Sequence, residues 1–164
     1  MLMSNLYVVA RIRPLTFQEF KENPKHYLTI RENELILINS KEVGCASVAD
    51  HRVRTRVFTL DHIFGAVNQY SSEDNSQATI YNYVGKPAVD YLKDGYNCSL
   101  FAYGMTGTGK THTIFGSEKD PGLILRVCDA LLNHVKSNEN VYTKYELKIS
   151  QYTLCKYYFT NRAI

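Results

Sequence analysis

Residues 104–111 read Gly104, Met105, Thr106, Gly107, Thr108, Gly109, Lys110 and Thr111, which fits G-x-x-x-x-G-K-[ST] at every position. Glycines at this spacing let backbone N–H groups turn inward on a phosphate with no Cβ in the way. The helix expected next adds its positive N-terminal end. Lys110 is placed to reach the β- and γ-phosphates as a point charge, and the Thr111 hydroxyl to take one site on Mg²⁺. A loop of this kind needs a buried strand directly before it and a helix directly after it. The continuous apolar run CSLFAY, residues 98–103, reads as that strand, and KTHTIF from Lys110 onward as the start of the helix. At ordinary residue frequencies the pattern arises by chance in on the order of one chain of this length in two hundred. The competing reading is a glycine-rich turn that binds nothing.

The other periodicities place an α/β pattern around the loop. LYVVA, residues 6–10, is a short β-rich run that ends at Arg11-Ile12-Arg13-Pro14, where proline blocks further central pairing. Residues 17–25 are polar and read as loop, after which YLTI-REN-ELILI reads as a peripheral hairpin around a tight turn. RVFTLDHIF brings back strand-like spacing from Arg56, and residues 65–75 read as loop. Ile80, Val84, Ala88 and Leu92 recur every fourth residue and predict an amphipathic helix over 77–92, with Ser76 as its N-cap and Pro87 as a bend. Gly95-Tyr96-Asn97 ends it. Ile124, Val127, Leu131 and Val135 predict a second helix, and residues 142–150 alternate weakly as a further strand.

With 164 residues, 45% apolar and 21% charged, the chain has the make-up of one globular domain. The net charge of +3 comes from scattered basic residues, which gives little support for nucleic acid or an acidic membrane as a partner. Cys45, Cys98, Cys128 and Cys155 form no CxxC pair and have no zinc-finger spacing, so reduced, buried thiols are expected. The first apolar run is shorter than a signal-peptide core and has no positive side chain before it, and no stretch has the length of a membrane span. These features point to a soluble, intracellular protein, cytosolic by default.

A phosphate loop alone is a cradle. Hydrolysis also needs a carboxylate near Mg²⁺, a group that positions water and loops that sense the γ-phosphate. The only fair apolar run ending in Asp is residues 57–61, where a capping role for Asp61 competes with a metal-site role. No acidic residue after Thr111 closes an apolar strand.

Four blocks in order resemble the kinesin motor domain family. VVARIRPL (residues 8–15) is similar to its first core strand and adenine-contacting R-x-R-P loop, and FTLDHIFG (residues 58–65) to its F-x-F-D-x-V-F segment. Residues 77–97, with Tyr81, Pro87 and Gly95-Tyr96-Asn97, are similar to the helix leading to a G-Y-N turn, and SLFAYGMTGTGKTHTIFG resembles the family's P-loop almost residue for residue. The likeness covers about residues 6–136 and is loose from Tyr142 onward. It implies a P-loop NTPase-type α/β fold, a mostly parallel central sheet with helices on both faces. ATP or ADP with Mg²⁺ would be bound, Arg11, Arg13 and Pro14 would border the adenine, and His112 would lie flat against the base. Without the likeness, the two arginines read as solvated strand-end residues and His112 as a surface histidine. Asp61 becomes structural. By family the chain would serve an ATP-driven, microtubule-binding motor in the cytoplasm, on the cytoskeleton.

Two departures bear on that expectation. Met105 stands where the family usually has Gln, at a position that contributes backbone more than side chain. Neither the N-x-x-S-S-R-S-H switch nor the D-x-x-G-x-E switch occurs in the 164 residues. The chain therefore reads as the nucleotide-binding half of a kinesin motor domain, a fragment that binds nucleotide. Its alternative is a catalytically inert, truncated interaction module. A small-molecule kinase would need an acceptor pocket and an arginine-rich lid, and the sequence has neither.

Overall fold

The computed structural model describes residues 6–21, 28–38, 55–65, 75–138, 145–154 and 159–163. The strand expected near the start is β1 (Val9–Arg11), and residues 17–25, read as loop, instead open with a short helix, α1 (Phe17–Lys21). The expected hairpin forms as β2 (Leu28–Arg31) and β3 (Glu34–Ile38), antiparallel, with Arg31 opposite Glu34 across a turn at Glu32 and Asn33. β4 (Thr55–Thr59) pairs antiparallel with the other edge of β3, Leu35 opposite Phe58. This three-stranded sheet is peripheral in burial as well as in order: Leu28 and Ile30 are half-buried, and all of β4 is exposed.

β5 (His62–Phe64) pairs with β1 in parallel, Val9 opposite His62 and Arg11 opposite Phe64. Such a pairing needs a crossover, which the intervening segment supplies. Asp61 closes one end of the pair: its N–H donates to the Val8 carbonyl at 2.9 Å, and its Oδ2 accepts from the Val8 N–H at 2.6 Å. Ile12 N–H closes the other end on the Phe64 carbonyl at 2.9 Å.

The predicted amphipathic helix is present as α2 (Gln77–Ile80), a widened π-helical turn (Tyr81–Gly85) and α3 (Lys86–Lys93). Ser76 caps it, its hydroxyl accepting from the Thr79 N–H at 3.1 Å. Pro87 acts here as a local widening: it has no N–H for the carbonyl of Tyr83, and the Lys86 N–H reaches back five residues to Tyr81. Gly85 sits in this turn because a Cβ there would lie 2.5 Å from the Tyr81 ring and 3.2 Å from Leu123. The backbone divides into two compact units, Met1–Val127 and Cys128–Ile164. In the first, Phe64, Ile80 and Leu123 form the buried core, with Val9, Tyr81 and Val84 packed against it.

α4 (Lys110–Phe115) follows the glycine-rich loop as expected, and α5 (Leu123–Asn138) begins in the first unit and ends in the second. The buried spine of α5 starts one residue earlier than predicted, at Leu123, and continues through Val127 and Leu131. Within the second unit, β6 (Ser150–Leu154) pairs antiparallel with β7 (Phe159–Ala163). The strand expected over 142–150 thus starts only at its end: residues 145–149 are irregular, and 142–144 lie outside the described residues.

Residues 98–103 form no strand, and their side chains are not buried: Phe101 is 86% and Tyr103 102% exposed, and Cys98, expected to be buried, is exposed as well. A strand exists only through its ladder, and among the described residues β1 pairs with β5 and no strand lies beside this run. An apolar, unpaired strand-like segment is a template for association. Phe101→Lys is therefore expected to increase the monomeric fraction and reduce binding of an apolar-surface dye, read by sedimentation and fluorescence. A wild-type chain that is already monomeric, binds no dye and melts in one sharp transition would contradict this.

Candidate nucleotide-binding site

The loop between the extended run and α4 takes its shape from backbone conformations that only glycine adopts readily. Gly109 is the N-cap of α4 with φ of 92°, in the left-handed region, and a Cβ there would meet nothing within 4 Å. Its requirement is conformational rather than steric. Thr108 folds the loop back on itself, its N–H and hydroxyl both donating to the Met105 carbonyl at 3.3 and 2.8 Å. Lys110 reaches over the loop, its Nζ donating to the carbonyls of Gly104 at 2.9 Å and Met105 at 2.7 Å. Two of its three N–H donors are thus held by the loop and one is left for an incoming acceptor. Met105 contributes its carbonyl, while its side chain is 81% exposed.

Beside the loop is an open cleft of roughly 230 Å³. It brings together Arg11, Arg13 and Pro14 with Thr108, Gly109 and His112. Gly104, Met105, Thr106, Gly107, Lys110 and Thr111 are not on its walls. The cleft is smaller than the ~300–1,000 Å³ usual for ligand pockets.

Arg11 is held in the cleft by four side-chain hydrogen bonds. Its Nε donates to Asn75 Oδ1 at 2.8 Å, one terminal nitrogen to Gln77 Oε1 at 3.2 Å and Thr113 Oγ1 at 2.9 Å, and the other to the Asn75 carbonyl at 2.8 Å. Burial pushes its guanidinium below the ordinary arginine value, and Asp120 acts in the opposite direction. Thr113 passes the connection on, its hydroxyl donating to the Gly109 carbonyl at 3.0 Å. Asn75 returns a bond to the residue just after β1, its Nδ2 donating to the Ile12 carbonyl at 2.7 Å. Asp120, also on the cleft wall, is held by Arg126 at 2.8 Å.

Asn75, Gln77, Thr113 and Asp120 belong to the site and were not singled out in the sequence. Gln77 left one signal there: it precedes Ile80 by one helical turn, so it puts an amide on the apolar face, where a polar group needs a partner.

Among the described residues no group of three or more His, Cys, Asp or Glu side chains could hold a metal. Thr111 is exposed, and its hydroxyl would suit Mg²⁺, which binds through one or two protein oxygens with phosphates and water. Asp61 is engaged with Val8, in a structural role. No helix among the described residues is long and apolar enough to cross a membrane.

The kinesin motor domain family model matches residues 11–156. The chain is 31% identical over 150 residues to human kinesin-like protein KIF13B, covering 90% of this chain and 8% of that protein. It is 32% identical over 133 residues to mouse kinesin-like protein KIF16B, covering 81% of this chain and 10% of that protein. It thus spans about a tenth of the length of these curated relatives. Among solved structures, a KIF14 dimer with AMP-PNP in complex with a microtubule aligns at a TM-score of 0.67 and 27% identity, over 84% of this chain and 35% of that one. A KIF14 structure with ADP, also in complex with a microtubule, aligns at 0.66 and 19% identity, over 97% of this chain and 50% of that one. The fold is the α/β fold of these motor domains.

An alanine at position 109 would have to hold a left-handed conformation, which costs an L-residue about 1–2 kcal/mol. Gly109→Ala is expected to lower unfolding stability by that amount in a urea titration. It should also weaken phosphate binding.

Proposed function

Because the chain belongs to the kinesin motor domain family, we propose that it binds ATP and ADP, with Mg²⁺, as the nucleotide-binding part of a microtubule motor. The observation that carries this reading is the match of residues 104–111 to the P-loop pattern, with Lys110 drawn across the loop backbone and a cleft directly beside it. Lys110 and backbone N–H groups of the loop would hold the phosphates, and Thr111 would hold the metal. Arg11, Arg13, Pro14 and His112, gathered on one cleft, suit the base end of the ligand. Bound Mg²⁺ would neutralise phosphate charge.

Microtubules are the proposed partner, and the cytoskeleton the proposed location, because the KIF14 structures it resembles are microtubule complexes. Hydrolysis and force are proposed for the motor as a whole. Within these 164 residues neither switch string occurs, which favours nucleotide binding without turnover by this segment. The same observation supports a second reading, an inert interaction module of kinesin fold, which the intact Lys110-Thr111 pair opposes.

Titration with ATP decides between the two. Removing a charged partner of a phosphate costs about 1.5–3 kcal/mol, so Lys110→Ala should weaken ATP binding by roughly 10- to 100-fold. Its circular dichroism spectrum should stay that of the wild type. Unchanged affinity in the variant would refute the phosphate-cradle assignment, and no binding by the wild type would leave the interaction module.

A further inference from the structure

Gln77 is 1% exposed and lies between two groups that leave its amide a single orientation. Arg11 has only donors, so the oxygen of Gln77 must be the atom that faces it, at 3.2 Å. The amide nitrogen is thereby turned toward His112, where it reaches both the backbone carbonyl and, at 3.3 Å, the ring Nδ1. An NH₂ group has two hydrogens and no acceptor, so one bonds the carbonyl and the other the ring. Nδ1 must then accept, and the ring proton belongs on Nε2.

We infer that Gln77, oriented by Arg11, is a positioning residue that fixes the tautomer and ring orientation of His112 on the cleft wall. This deepens the nucleotide-binding reading and rests on it, because the ring is useful where a base would lie. The contacts come from three separate segments: β1 supplies Arg11, the start of α2 supplies Gln77, and α4 supplies His112. A side chain buried only for packing would not need its amide turned one way, and that difference makes the inference testable.

The test compares the full-length chain with Gln77→Glu, close in shape, and Gln77→Leu, which removes both bonds. Glutamate keeps an acceptor for Arg11 but turns a second acceptor toward Nδ1, which should draw the ring proton there. In ¹⁵N spectra of the imidazoles, wild-type His112 is expected as the Nε2–H form and the Glu variant as a form protonated at Nδ1. Binding of ATP should weaken up to about tenfold in both variants, the scale of one misdirected hydrogen bond, and by more than binding of inorganic tripolyphosphate, which has no base. An Nδ1–H tautomer in the wild type, or the same tautomer in wild type and Gln77→Glu, would overturn the assignment. Equal loss for ATP and tripolyphosphate would also overturn it, by showing general damage to the fold. If the wild type binds neither ligand, the nucleotide reading fails by itself, and the spectra still decide whether Gln77 sets the tautomer.

Discussion

A half-buried guanidinium organises this site. Arg11 brings a fixed positive charge and five donors to the carboxyl end of β1, and leaving such donors unmet away from water costs about 1–3 kcal/mol each. Asn75, Gln77 and Thr113 meet four of them. Their demand for geometry holds the start of α2 and the first turns of α4 against the same strand end. The chain of bonds continues through Thr113 to the Gly109 carbonyl, so the shape of the phosphate loop is tied to β1. The apolar core of Phe64, Ile80 and Leu123 fixes the elements at a distance from one another; the arginine network fixes the angle at which they present their ends.

The two arginines of the R-x-R-P segment are held differently. Arg11 and Arg13 read as a pair, yet Arg11 spends its donors inside the protein, bonded to four acceptors on three residues. Arg13 and Pro14, both exposed, line the cleft from its outer side. The phosphate loop shows a similar economy: the Lys110 ammonium lies on two loop carbonyls, a position from which a phosphate oxygen would compete for it.

What could be read in advance depended on whether an element is local. The 77–92 helix was legible because its stripe repeats within one segment, and Ser76 was legible as its cap because that bond spans three residues. The hairpin of β2 and β3 was legible for the same reason. The run at 98–103 was misread because burial of a strand is not a property of the strand: it needs a neighbour to pair with, and apolar composition does not supply one. α1 was missed because its one spacing signal, Phe17 and Phe20 a helical turn apart, spans too few residues to separate helix from loop.

The sequence by itself determined the loop, its lysine and threonine, the helices on either side and the family to which they belong, because each is written in residues a few positions apart. Tertiary structure alone decided that Arg11 meets Asn75 across 64 residues, Gln77 across 66 and Thr113 across 102. The reason is physical. A hydrogen bond between remote segments depends on where the whole backbone brings them, and a buried amide such as Gln77 takes its orientation, and gives His112 its own, only once both partners are in place.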